Sequence, residues 1–199
     1  MALFRTELDS LQDLLVNQIQ DLYDAENRLI DALPKMAEAA HSPQLRQAFE
    51  SHLEETRGHV TRLEQVFEAL GQAPKRETCQ AMKGLIAEGE EAIKAKGNSA
   101  VKDAALIAAA QRVEHYEMAG YGTARTLATQ LAHDRPASVL QQTLEEEKAA
   151  DLKLSNIAES SVKHASGGTG RGEYKLTSAR IQLANLQGRQ CVATTDCLL

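Results

Sequence analysis

Apolar residues recur at steps of three and four over four long stretches of the chain, with Glu, Gln, Lys and Asp filling the gaps. That spacing belongs to helices with one buried face. The first stretch carries Leu8, Leu11, Leu15, Ile19, Leu22, Leu29, Leu33 and Met36. It predicts a helix from Thr6 to about Ala40, capped by Asp9 or Ser10 and stopped at His41-Ser42-Pro43. Pro34 lies inside the pattern and is expected to kink or shorten it. A second helix opens at Ser42 with Pro43 in its first turn and runs through Leu45, Phe49, Leu63, Val66, Phe67 and Leu70 to a stop at Gly71.

The connection that follows, Gln72 to Asn98, far exceeds the roughly 2–8 residues usual between bundle helices, so it must cross the bundle. Its centre, Cys79 to Ile93, keeps helical apolar spacing and predicts a short amphipathic helix packed outside the main four. A third long helix is expected from about Ser99 to Ala132, and a fourth from about Arg135 to Val162 with Pro136 at its start. The fold class is therefore all-α: a ferritin-like four-helix bundle with a long crossover containing a short extra helix. Residues 1–164 form the bundle. Residues 165–199 open on Ala-Ser-Gly-Gly-Thr-Gly-Arg-Gly and are expected to be a flexible tail that need not be native.

Composition narrows the function classes. The absence of Trp and the low aromatic content suit packed helices, and a net charge of -6 lacks the basic field that nucleic acid or anionic lipid binding needs. No nucleic acid partner and no membrane association are expected. The first residues lack a basic stretch followed by an apolar run, so the expected location is cytoplasmic. Cys79, Cys191 and Cys197 have neither an even count nor a zinc-like spacing and read as free thiols.

The buried stripes are interrupted by acids. Glu26 stands four residues after Leu22 and three before Leu29, so its carboxylate points inward. On the second helix His52, Glu55, Thr56 and His59 break the stripe, with Glu55 and His59 one turn apart on the inner face. His52 reads as a hydrogen-bonded core histidine. Glu114 lies centrally on the third long helix, with Glu117 one turn further, and Glu147 and Asp151 interrupt the fourth at a spacing of four. Four helices thus each carry an inward acid near mid-length. Glu26 with Glu117, Glu55 with Glu147, and His59 with Asp151 recur at near-equal separations, as two related hairpins would produce. Clustered carboxylates in a low-dielectric core need protons or a counter-charge. Two metal ions supply it, and carboxylate with imidazole suits iron, manganese or zinc. Tyr23, Tyr116 and Tyr121 lie near the same level and read as core tyrosines.

The segments Asp21-Leu-Tyr-Asp-Ala-Glu26, His52-Leu-Glu-Glu-Thr-Arg-Gly-His59, Gln111-Arg-Val-Glu114-His-Tyr-Glu117 and Glu145-Glu-Glu-Lys-Ala-Ala-Asp151 together resemble the YciE/YciF family of bacterial stress-associated ferritin-like proteins. The resemblance covers residues 1 to about 164. It implies a dinuclear metal centre between the helices, a homodimer and a role in stress responses without an assigned reaction. Ferritin-like di-iron sites commonly use Glu-x-x-His on two helices. This chain instead has Glu55-x-x-x-His59 and Glu147-x-x-x-Asp151. Glu114-x-x-Glu117 resembles the paired carboxylates of some peroxide-reducing relatives. Two readings stand: a di-metal protein capable of Fe(II) oxidation or peroxide reduction, and a structural or interaction dimer whose metal site is vestigial. No catalytic residue is assigned, and whether the protein is an enzyme is left open.

Overall fold

The computed structural model describes residues 8–165. Five helices follow in order: α1 (Leu11–Ala39), α2 (Pro43–Ala69), α3 (Gln80–Lys94), α4 (Ser99–Gln130) and α5 (Asp134–Ala165). The described residues contain no strand. The helices α1 and α2 form one hairpin and α4 and α5 the other; α1 packs on α4 and α2 on α5, while α3 lies against α1 and α4. This is the expected all-α bundle, with the extra helix carried by the crossover. No described helix is long and apolar enough to cross a membrane. The expected tail lies, from residue 166 on, outside the described residues, as do Cys191 and Cys197.

The helix ends follow from local chemistry. Ser10 caps α1 by accepting the Asp13 amide, so the helix starts at Leu11 rather than Thr6; Leu8 and Asp9 precede it. Pro34 does not shorten α1, which continues to Ala39. Ser42 caps α2, and Pro43 occupies its first turn, where an amide would have no intrahelical partner. The stop at Gly71 is a left-handed turn with φ of 67°, closed by the Gln72 amide on the Phe67 carbonyl at 2.9 Å.

Two buried aspartates join elements that are distant in sequence. Asp103 of α4 accepts the backbone amides of His41 and Ser42 at 2.9 and 2.8 Å, clamping the α1–α2 turn. Asp24 of α1 accepts the Cys79 amide and Arg76 Nε, both at 2.9 Å, and Arg28 Nε at 2.5 Å. The crossover is thereby tied to α1 at the point where α3 begins.

The core falls into two apolar clusters. One gathers Leu29, Leu33, Met36, Phe49, Leu106 and Leu154 beneath α3. The other gathers Leu15, Ile19, Leu63, Phe67, Tyr121 and Leu140 at the far end. Along every long helix the change from one cluster to the other occurs where Glu26, His52 to His59, Glu114 to Glu117, and Glu147 stand. A belt of buried polar side chains thus divides the bundle.

Removing the Asp103 carboxylate leaves two backbone amides without acceptors. Asp103→Ala is expected to lower unfolding stability in urea by about 2–4 kcal/mol, and Asp103→Asn, which keeps one acceptor oxygen, by less.

Candidate metal centre

The centre of the belt is built from single side chains on α1 and α5 and pairs on α2 and α4. Glu26, Glu117, Glu147 and His59 are completely buried, and His52 and Glu114 nearly so. His59 Nδ1 lies 3.0 Å from Glu147 Oε1 and 3.3 Å from Glu26 Oε1. His52 Nε2 lies 3.5 Å from Glu114 Oε1 and 3.8 Å from Glu147 Oε2. The two oxygens of Glu147 therefore face different histidines, and this residue stands between two half-sites.

Each ring is oriented from outside. His59 Nε2 is 2.9 Å from Glu146 Oε2, and Arg62 grips the same carboxylate through two nitrogens at 2.6 and 2.8 Å. His52 Nδ1 is 3.2 Å from Glu55 Oε2. With the outer nitrogen of each ring donating to its carboxylate, the inner nitrogen points at the buried acids, where it carries a proton and, once that proton is shed, can offer a lone pair to a metal ion. Tyr121 donates to Glu26 Oε1 at 2.5 Å and leaves Oε2 free.

Those inner atoms have no hydrogen-bond partner: His52 Nε2, His59 Nδ1, Glu26 Oε2, Glu114 Oε2 and both oxygens of Glu117 and Glu147. Buried polar atoms are seldom orphaned, and these converge on one place. Ligand atoms from His52, Glu114, Glu117 and Glu147 lie within 4.8 Å of one another, as do those from Glu26, His59 and Glu147. Each group could hold a metal ion, and hard carboxylate oxygens with imidazole nitrogens fit iron, manganese or zinc.

Five of the seven residues singled out by spacing, Glu26, His59, Glu114, Glu117 and Glu147, thus face one another. The other two do not lie on inner faces. Glu55 is exposed, with its side chain 45% accessible, because the inward face of α2 runs through His52, Thr56 and His59; Glu55 sits beside it and holds His52. Asp151 is half-exposed, because Glu147, Ala150 and Leu154 form the buried face of α5. Its carboxylate accepts Gln111 Nε2 at 3.0 Å and lies 3.4 Å from His115 Nε2. His52, read from spacing as a hydrogen-bonded core histidine, is buried and bonded to Glu55, and it also turns its other ring nitrogen toward Glu114 and Glu147. The Glu146–Arg62 pair escaped the spacing argument. Its only signal is that Arg62 follows His59 by three residues and Glu146 immediately precedes Glu147.

Residues 10–166 match the family described as Domain of unknown function (DUF892). Protein YciF of Escherichia coli (strain K12) is 48% identical over 152 residues, which is 76% of this chain and 92% of that protein. The crystal structure of that E. coli stress protein superposes with a TM-score of 0.76 at 47% identity, covering 78% of this chain and 99% of the other. YcfI from Rhodopseudomonas palustris, a protein described with a suggested structural role, gives a TM-score of 0.74 at 45% identity over 76% of this chain and 97% of its own.

Without a cation the belt must hold protons. Burial, then repulsion from Glu26, Glu147 and Glu114, drives the Glu117 carboxyl well above the usual range. Burial likewise raises Glu26, and takes Glu114 up to about 8 against the pull of His52. Burial alone would discharge the imidazoles, but the carboxylates outweigh it. Glu114, Glu55 and Glu147 push His52 up to about 9, and Glu147 and Glu26 push His59 up to about 11. All these groups bind protons more tightly folded than unfolded, so the stability they contribute is complete below their unfolded values and is lost as pH rises through the folded ones. Chelator-treated protein is therefore expected to lose thermal stability progressively between the ordinary histidine value of 6.5 and about 9. A melting temperature that is flat or rising over that interval contradicts this proton inventory.

Proposed function

The chain belongs to the DUF892 family, and from that premise and the shared carboxylate at the bundle centre we propose a ferritin-like stress-response protein that binds two metal ions, iron foremost. The observation that carries this reading is that two ligand groups, one with His52 and one with His59, have Glu147 in common. In the proposed set, His59 and Glu26 serve one ion, His52, Glu114 and Glu117 the other, and Glu147 both. Manganese or zinc would meet the same donors. Bound iron would supply one-electron chemistry at each of two neighbouring positions, enough for Fe(II) oxidation or peroxide reduction.

The protein's own residues have separate tasks. Glu146, held by Arg62, and Glu55 fix the two imidazole planes and stabilise a proton on the outer nitrogens. Tyr121 keeps one oxygen of Glu26 occupied so that the other is directed at the centre. The apolar clusters on both sides keep the carboxylates dry, which strengthens every charge interaction among them. We assign residues 1–164 to this bundle and treat the following residues as a tail outside its function. A homodimer acting in the cytoplasm, without nucleic acid, completes the proposal.

A second reading has its own support. The belt can balance its charge with protons, and YcfI is described with a suggested structural role, so an interaction dimer with a vestigial centre is the alternative.

Elemental analysis of protein purified without chelators from iron-supplemented cells distinguishes them. About two metals per chain are expected under the first reading; little metal favours the second. Glu147→Ala is expected to lose both ions, whereas Glu55→Ala and Asp151→Ala keep the stoichiometry because neither side chain faces the centre. Stoichiometric metal in Glu147→Ala overturns the shared-carboxylate assignment. Because Glu114, His52 and His59 must shed protons before binding, metal affinity should rise with pH through about 8 and 9 and on toward about 11, with proton release measurable by calorimetry in buffers of different ionisation enthalpy.

A further inference from the structure

Two approaches, one with charged residues along its lining and one walled almost wholly by apolar side chains, reach the same pair of candidate ligands. Between α2 and α5 a cleft of about 120 Å³ is bordered by Glu55, Glu146 and Lys153 and ends at His52 and Glu114. Charged side chains at its mouth suit ions and water. Beneath α3 lies a separate cavity of about 40 Å³. Leu29, Leu33 and Met36 of α1, Phe49 of α2, Ile86 of α3 and Val113 of α4 wall it. Lys35 and Glu90 stand at its outer rim, and its inner end is again His52 and Glu114.

The size and lining decide what this cavity can hold. Drug-sized and cofactor ligands need roughly 300–1,000 Å³, which rules out an aromatic or acyl ligand. A single water needs about 10–15 Å³ and two to four polar partners, so it can sit at the inner end between His52 and Glu114, whereas the part walled by Leu29, Leu33, Met36, Phe49 and Val113 offers none, and apolar space of that kind stays dry while accepting apolar gases. A neutral diatomic molecule fits both limits. The inner end supplies direction, since His52 Nε2 and Glu114 Oε2 are buried there without hydrogen-bond partners. The cavity also depends on a particular residue: Gly89 is buried in α3 facing Met36, and a Cβ there would lie 3.8 Å from Met36 Sδ. A larger side chain at this position would project into the space.

We propose that the cavity beneath α3 is a binding site for dioxygen on its way to the His52–Glu114 end of the centre, separate from the charged cleft used by ions. Its functional meaning rests on the metal-binding reading above, but occupancy by the gas does not. The test accordingly uses metal-free, full-length protein and dioxygen itself, which is paramagnetic. Under oxygen pressure, methyl protons of Leu29 and Leu33 should relax much faster than those of Leu144, buried to the same degree in the other apolar cluster. In Gly89→Ile the excess should disappear. Gly89→Ala, whose added methyl is accommodated at ordinary contact distance, should retain the fold and reduce the excess partially. Equal relaxation in both clusters of the wild-type protein, or an undiminished excess in Gly89→Ala and Gly89→Ile, overturns the proposal. Metal stoichiometry is read independently, so loss of the centre and loss of the gas site are distinguishable results.

Discussion

Four carboxylates and two imidazoles share the dry middle of the bundle, and the cost of charge in that environment governs the rest of the structure. An isolated buried carboxylate is strongly disfavoured unless it is protonated or meets a positive charge. Here Glu26, Glu114, Glu117 and Glu147 have only His52 and His59 inside the belt. The imidazoles therefore take up protons and several acids remain neutral, or cations replace those protons. Glu147 is the pivot because it faces both histidines, so its removal disturbs both half-sites at once.

The belt also explains the arrangement of the apolar core. Neither cluster can extend across it, and each is completed from outside: the far end by the tight α4–α5 turn and its neighbours, the near end by the crossover helix. Asp24, two residues before Glu26 on α1, holds the beginning of α3 through the Cys79 amide. One short segment of α1 therefore anchors the crossover and contributes to the polar centre. The same crossover roofs the apolar cavity, with Gly89 allowing α3 to sit over Met36.

The outward carboxylates Glu55 and Glu146 are as important to the geometry as the inward ones. A histidine in a packed helix can present either nitrogen, and an external acceptor selects which. Because both rings are gripped at the outer atom, the inner nitrogens are aimed at the centre before any ion arrives. Such preorganisation costs little here, since Glu55 and Glu146 remain partly in water and Glu146 is paired with Arg62.

Helical periodicity identified the long helices, the crossover helix and the inward orientation of Glu26, Glu114 and Glu147, and cap and turn residues identified the Ser42 and Gly71 boundaries. Each of those acids replaces one position in a stripe marked closely by apolar residues, so a step of about 100° leaves little freedom. On α2 that freedom was larger, since no fully buried apolar side chain stands between Phe49 and Leu63, and a small rotation exchanges Glu55 for His52. The same ambiguity on α5 put Asp151 inside, where Ala150 belongs. Only the partner helices could resolve these rotations, because they decide which side of a roughly 100° stripe is covered. They also brought Glu146 and Arg62 to His59, across separations to which local periodicity is blind. The cavity beneath α3 belongs wholly to tertiary structure: it is space left between four helices, and no single stretch of sequence encodes a void.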